Sequence, residues 1–552
     1  MSSRFANNRF DRGDVVVHVD VIVVGSGIAG LTAAAYVARS EHSVAVFEKQ
    51  PTLGGYVGSF EKEGFSYDQG IRSIESSGIV FPMMKQLGLE LEFVKSTVSL
   101  GIGTQMMYVD SPQSIERYEA MLCDAFASDR DDVGRIMGEI RKIMGYMDIL
   151  YGIDNPLFLD MKSDPKYLLK TFLPWFAKYV RIMPKIAKLN DPVVGYLRKF
   201  TSNEQLIDII SQHFFKDTPT FFALSYFGLY LDYNYPMGGM KTVVHAMERY
   251  ITEHGGTFFT EHAIEHIDVQ SHTVTDRHGL NHTYGKLIWA ADVKKLYDTV
   301  NYDGITNHTL RHNLVQRRTF LADKHGSDSI YSLFLAVDVP VEYFASKCSA
   351  HCFYTPDTQG ISSITGDIAA KIASGSVDVP VEEGKRQLLR WLEQYFSHTT
   401  YEISFPAMRD PKLAPPGKTG MIISMLFDYA IAKYAVDTQW YAEFKEFCDT
   451  TILGVLERAL FPSLSEHIID RFSASPVSME RITGNLEGAI TGWAFTNNPF
   501  PAINNLKHIM KATDTPIPGV YQAGQWTFGP AGLPISVMTG RMAADKVIKA
   551  LK

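Results

Sequence analysis

The chain has 552 residues, of which 45% are hydrophobic and 21% charged, with a formal net charge of −8 at pH 7. This is the composition of a globular protein long enough for two or three domains, and it argues against a low-complexity chain or a basic nucleic-acid binder. Four scattered cysteines, at 123, 348, 352 and 448, form no disulfide framework, and "CSAHC" at 348–352 lacks a second ligand pair, so no metal is expected. The first twenty residues carry charges throughout and no signal-peptide core. No window holds the roughly 18 uninterrupted apolar residues of a spanning helix, so the expectation is a cytoplasmic protein, soluble or peripheral on a membrane.

In chain order, residues 21–24 ("VIVV") form a β-branched run suited to a strand buried on both faces. Gly25-x-Gly27-x-x-Gly30 follows at once. The first glycine permits the tight turn, the second lets the backbone approach a pyrophosphate, and the third lets the helix beginning near Ile28 pack on the strand. That helix N-terminus would face the phosphate charge. Residues 44–47 form the next strand, and Glu48, about 20 residues past the glycines, ends it where a ribose 2′-hydroxyl would sit. The motif is specific for a dinucleotide but does not choose between FAD and NAD. Beyond it, 64–70 ("GFSYDQG") alternates like a short strand, and a charge-rich helical block runs from about 111 to 231.

Gly238-Gly239 opens an amphipathic helix to about Tyr250, Gly255-Gly256 closes it, and two short strands follow. "KLIWAAD" at 286–292 is a further buried strand. From about 301 to 478, strands at 331–337, 401–408 and 421–427 alternate with helices at 382–396 and 438–459, a mixed α+β pattern. The end supplies a strand at 520–523, a Gly/Pro turn at 529–532 and a helix at 533–544. The expected division is a FAD-binding domain in three pieces (14–110, 235–300, 480–552), a helical subdomain at 111–234 and a substrate domain at 301–479. One complete GxGxxG leaves no dedicated NAD(P)H domain.

Between 162 and 199, nine Lys/Arg face two acids, Asp164 and Asp191, in a chain that is acidic overall. On a wheel of roughly 100° per residue, Lys166, Lys170, Lys178, Arg181, Lys185 and Lys188 share one arc. Leu168, Phe172, Trp175, Tyr179, Met183 and Ile186 fall opposite, the pattern of an interfacial amphipathic helix facing an anionic membrane, or of a core-packed helix pair with a solvated basic face. Pro174 and Pro184 predict two short helices with a kink.

The doublet Gly54-Gly55 after the second strand resembles the FAD-binding pattern of glutathione-reductase-like flavoproteins. With "FSYDQG", "YPMGG" (235–239), "DPKLAPPGK" (410–418), "SPVSMERITGNLEGAITGW" (475–493) and "AGQWTFGPAGLPISVMTGR" (523–541), nearly the whole chain from Asp20 resembles the phytoene desaturase-like flavoproteins. That group contains carotenoid desaturases, carotenoid cis–trans isomerases and retinol saturases. The resemblance implies an α/β, Rossmann-type FAD fold with a discontinuous α+β substrate domain and a helical, membrane-facing subdomain. It places adenine at the first βαβ unit and isoalloxazine at the interface with the α+β domain. The FAD cradle is then Gly25, Ser26, Gly27, Ile28, Ala29 and Gly30; Glu48, Lys49, Gly54, Gly55 and Tyr56; Ile264; and Gly524, Gln525, Leu533, Pro534 and Ser536.

Two positions depart from related patterns. Tyr56 stands where amine oxidases commonly have Arg, and Gln525 stands where the family often has an acid. Flavin chemistry needs no catalytic triad, so the candidate catalytic residues are tuning groups: Arg72 for an anionic flavin or intermediate, and Trp526 as a wall of the ring. The expected function is FAD-dependent chemistry at carbon–carbon bonds of a polyene or isoprenoid lipid. An amine or amino-acid oxidase and a non-enzymatic prenyl carrier of the same fold are the alternatives. The electron partner is not legible.

Overall fold

Two sheets organise the chain in the computed structural model, which describes residues 15–159 and 165–552. In the first sheet, His18–Val24 pairs in parallel with Val44–Phe47 on one side and Asn281–Trp289 on the other. Val520–Gln522 and Thr257–Phe259 extend the parallel array at its two edges. Strands covered on both faces must be apolar at successive positions, and residues 21–24 and 44–47 are buried throughout. Ile264–Asp268 and Thr273–Asp276 complete the sheet as antiparallel strands.

Helix Ile28–Arg39 covers one face, packed against Lys241–Glu253 and the C-terminal helix Leu533–Leu551. Ala33, Ala34 and Ala35 are fully buried in this layer. A Cβ on Gly540 would lie 2.4 Å from the Ala29 carbonyl oxygen, so a glycine is what lets the last helix approach the first.

The second sheet runs in the order Ile468–Ala474, Ser329–Val337, Thr419–Phe427, Tyr401–Ser404, His351–Thr355, Val98–Ile102, Gln105–Val109. Its last two strands correct the expected boundary at 110, because they belong to the substrate-domain sheet. Val98–Ile102 pairs in parallel with His351–Thr355 over five residues. The strand expected over 401–408 ends at Ser404, since Pro406, which has no N–H, opens a 3₁₀ turn. The helix expected at 438 starts at Tyr441, after Tyr429–Asp437 has ended.

Between Gln105–Val109 and Thr257–Phe259 in sequence lies the helical block, which includes Ser114–Ala125, Arg130–Tyr151, Glu204–Ser211 and Thr220–Leu229, with a core containing Ile136, Leu206 and Leu224. Lys162, Asp164 and residue 14 lie outside the described residues. The basic segment forms one helical run over 165–186 rather than two separate short helices. Pro165–Tyr167, a π-helical turn Leu168–Phe172 and Leu173–Ile186 follow without a break. Pro174 falls in the first turn of the last of these, where a missing N–H is tolerated.

The apolar arc read from the wheel faces the protein. Trp175 Nε1 donates to the Ile149 carbonyl at 2.6 Å, and Ile182 and Ile186 are buried. A different stripe, absent from the sequence reading, is exposed: Leu169 (65%), Leu173 (48%), Phe176 (46%) and Val180 (54%). No helix of the described residues is long and apolar enough to cross a membrane.

Candidate cofactor and substrate cavity

A cavity of about 800 Å³ runs from the glycine turn, between the sheets, to the helical block. The three turn glycines have separable reasons. Gly25 has φ +96° and a Cβ there would lie 2.8 Å from the Ala290 oxygen, while a Cβ on Gly30 would lie 1.9 Å from the Gly25 oxygen. Both are required by the protein's own packing. Gly27 has φ −60° and ψ 169°, which any residue can adopt, and nothing lies within 4 Å of the Cβ it lacks. Its missing side chain clears space for a ligand, not for protein.

That space fronts the N-terminus of Ile28–Arg39, which has no side-chain cap and no acid in its first turn. Leu533–Leu551 likewise begins at Gly532 uncapped and without an acid. Two such ends on one cavity suit a diphosphate at the first and an electron-rich ring at the second. Glu48 ends the second strand with Oε2 accepting from Ser26 N (2.9 Å) and Ser26 Oγ (2.7 Å), and Oε1 accepting from Gln50 N (2.9 Å). A carboxylate so held keeps lone-pair capacity for a ribose hydroxyl. Burial and the neighbouring Lys295 push Lys49 down to about 8.

Of the residues expected to hold the cofactor, all but Ser26 and Gly30 line this cavity, including the distant Ile264, Gly524, Gln525, Leu533, Pro534 and Ser536. Ser26 acts one step behind, through Glu48. Tyr56 donates its hydroxyl to the Ala489 oxygen at 2.9 Å, which ties the Gly-Gly turn to the 475–493 segment. The residues present therefore fit FAD, which when bound supplies hydride chemistry to this cavity.

Arg72 and Trp526 also line it. Trp526 is buried edge-to-face on Trp493, with centroids 4.8 Å apart at 81°. The Arg72 charge is already compensated: Nη1 lies 2.7 Å from Glu402 Oε2 and Nη2 donates to Ser424 Oγ at 2.5 Å. The other Glu402 oxygen meets His351 Nε2 at 2.9 Å, and His351 Nδ1 lies 3.2 Å from Ser73 Oγ. Burial would raise Glu402, but Arg72 and His351 outweigh it and hold the carboxyl at about 2. Burial also keeps His351 below its ordinary value.

Sequence reasoning missed Glu402, His351 and Glu75. A signal existed for the first two. Strand alternation puts Tyr401 and Ile403, and likewise Cys352, into the core, so Glu402 and His351 face the other way, into the cavity. "CSAHC" is thus two buried thiols flanking a cavity histidine, and no group of three potential metal ligands occurs among the described residues.

A divided Rossmann-type sheet, a second sheet and a helical cap around one cofactor-sized cavity define a FAD-dependent oxidoreductase. The chain belongs to the family of flavin containing amine oxidoreductases, whose pattern it matches over residues 28–548. Among curated proteins it is 22% identical to prolycopene isomerase 2, chloroplastic, of an Oncidium hybrid cultivar, over 96% of this chain and 83% of that protein. It is 26% identical to the inactive all-trans-retinol 13,14-reductase of Danio rerio over 44% of this chain, and this match spans only 41% of that protein. An oxidoreductase from Methanosarcina mazei shares the fold, with TM-score 0.58 and 13% identity, covering 96% of this chain and 100% of that one. The carotenoid-type resemblance read from the late motifs is borne out.

Proposed function

We propose that the protein acts on a carbon–carbon bond of a long apolar polyene or isoprenoid lipid. The observation that carries this is the cavity beyond the Arg72–Glu402 pair. Phe214, Phe215, Phe222, Tyr226, Leu229 and Phe353 line it, and its one arginine is already neutralised. Such a wall holds an isoprenoid by shape, at about 0.8 kcal/mol per buried methylene, and offers a polar substrate no cationic clamp. The prolycopene isomerase relative supports the same substrate class. Anaerobic mixing of the oxidised and the dithionite-reduced holoenzyme with carotenoid precursors and retinoids is expected to change the flavin spectrum or yield a product of altered mass or geometry.

A second reading, amine oxidation, is favoured by the family description and by a carboxyl in the cavity wall, Glu75, that could meet an ammonium. Bleaching of the flavin by amines, with all polyenes inert, decides for it.

The reading includes an anionic membrane surface as the source of substrate. The exposed stripe Leu169, Leu173, Phe176 and Val180 lies beside the exposed Lys170, Lys178 and Arg181, which joins apolar insertion to charge attraction on one helix. Leu173→Ser/Phe176→Ser/Val180→Ser is expected to reduce sedimentation with phosphatidylglycerol vesicles at any salt concentration. Lys170→Glu/Lys178→Glu/Arg181→Glu should reduce it most at low salt. Unchanged sedimentation of both variants overturns the surface assignment.

A further inference from the structure

The segment after "DQG" forms a clamped stretch of cavity wall. Ile74 exchanges backbone hydrogen bonds with Asn234 at 2.7 and 2.9 Å, and Asp232 Oδ2 accepts from Ser76 N (2.7 Å) and Ser77 N (3.1 Å). Between these anchors Glu75 lines the cavity, as do Met147 and Tyr151 of Arg130–Tyr151 and Phe222 and Tyr226 of Thr220–Leu229. Among the described residues its carboxyl has no ion pair, and it accepts from its own backbone N–H. The charged and titratable groups around it are Asp232 and the phenols of Tyr151, Tyr226 and Tyr233. Tyr226 and Tyr233 hydrogen-bond each other at 2.9 Å, and the nearby Arg72 is committed to Glu402.

Burial first, and then the like charge of Asp232, push Glu75 up to about 7. Burial raises all three phenols and lowers His213 to about 4, while Glu402 is held at about 2.

We propose that Glu75 is the acid–base residue of the substrate cavity, exchanging a proton with one carbon of a double bond whose other carbon exchanges a hydride with the flavin. In the saturating direction the hydride pair forms a C–H bond at the first carbon. The π pair moves to the second carbon and takes the proton as the Glu75 O–H bond breaks. The carboxylate regains a proton from water, and the two electrons gained by the substrate are those of the hydride that reduced FAD would supply when bound. Desaturation is the reverse, with the Glu75 carboxylate receiving the proton and oxidised flavin the hydride. This role rests on the polyene reading above.

Glu75→Gln keeps the shape and removes the proton exchange. The variant is expected to retain full flavin content and to turn over an active polyene about 100-fold or more slowly. The wild-type rate should fall as pH rises through about 7 in saturation, or as pH falls through it in desaturation, and Glu75→Gln should lose that limb. Independently of turnover, the infrared titration difference between wild type and Glu75→Gln should show one carboxyl titrating near neutrality. Wild-type rates in Glu75→Gln, or a Glu75 already ionised at about pH 5 in an enzyme that saturates its substrate, overturn the role while leaving the polyene reading in place. A wild-type holoenzyme inert toward every polyene overturns both.

Discussion

Gly27→Val is expected to yield a folded protein that retains no flavin. Backbone angles at Gly27 suit any residue, and its Cβ would meet no protein atom within 4 Å, so the chain has no steric reason to reject a side chain. The valine would instead fill the space before the N–H groups of Ile28–Arg39, where a diphosphate would be held. Gly30→Val is the contrasting case. Its Cβ would fall 1.9 Å from the Gly25 oxygen, so the helix cannot keep its seat on the first strand and the yield of folded protein should collapse. Thermal unfolding and visible absorbance of the purified variants separate the two outcomes. Full flavin content in folded Gly27→Val overturns the assignment of the diphosphate site.

The second large effect is expected at Glu402. Glu402→Gln leaves the buried Arg72 guanidinium without its counter-charge, and breaking a buried pair from one side costs about 3–5 kcal/mol. The pH dependence has a definite sign. Burial opposes ionisation of Glu402, but Arg72 and His351 hold it at about 2, below its ordinary value of 4.5. Its stabilising contribution is therefore complete above about 4.5 and is lost as pH falls towards 2. Wild type should lose stability steeply across that window, and Glu402→Gln should show a flatter profile from a lower plateau. Parallel acid-unfolding curves for the two proteins overturn the pairing as a stabilising element.

The basic helix shows how a correct pattern can point the wrong way. Charge and apolar arcs were visible in the sequence, but a wheel cannot say which apolar arc meets the protein. Packing against Arg130–Tyr151 settled it, turning Trp175 and Ile186 inward and leaving Leu169, Leu173, Phe176 and Val180 outside. Pro174 misled for a local reason. Pro174 sits in a first turn, where its missing N–H is tolerated, and so it does not break the helical run.

The sequence by itself determined the nucleotide-binding half. A buried parallel strand, a glycine turn, a helix and an acid at the next strand's end are contiguous, and their spacing is dictated by backbone geometry within about 30 residues. The late motif was legible for the same reason: strand, turn and helix follow one another in a single stretch. Only the tertiary structure decided the substrate half. Arg72, His351 and Glu402 come from three distant parts of the chain, and the strands Val98–Ile102 and Gln105–Val109 join a sheet whose other members lie more than 200 residues later. The charge state of Glu75 depends on Asp232 and on aromatic walls supplied by two separate helices. Contacts and desolvation of this kind are long-range, so no local pattern of residues encodes them.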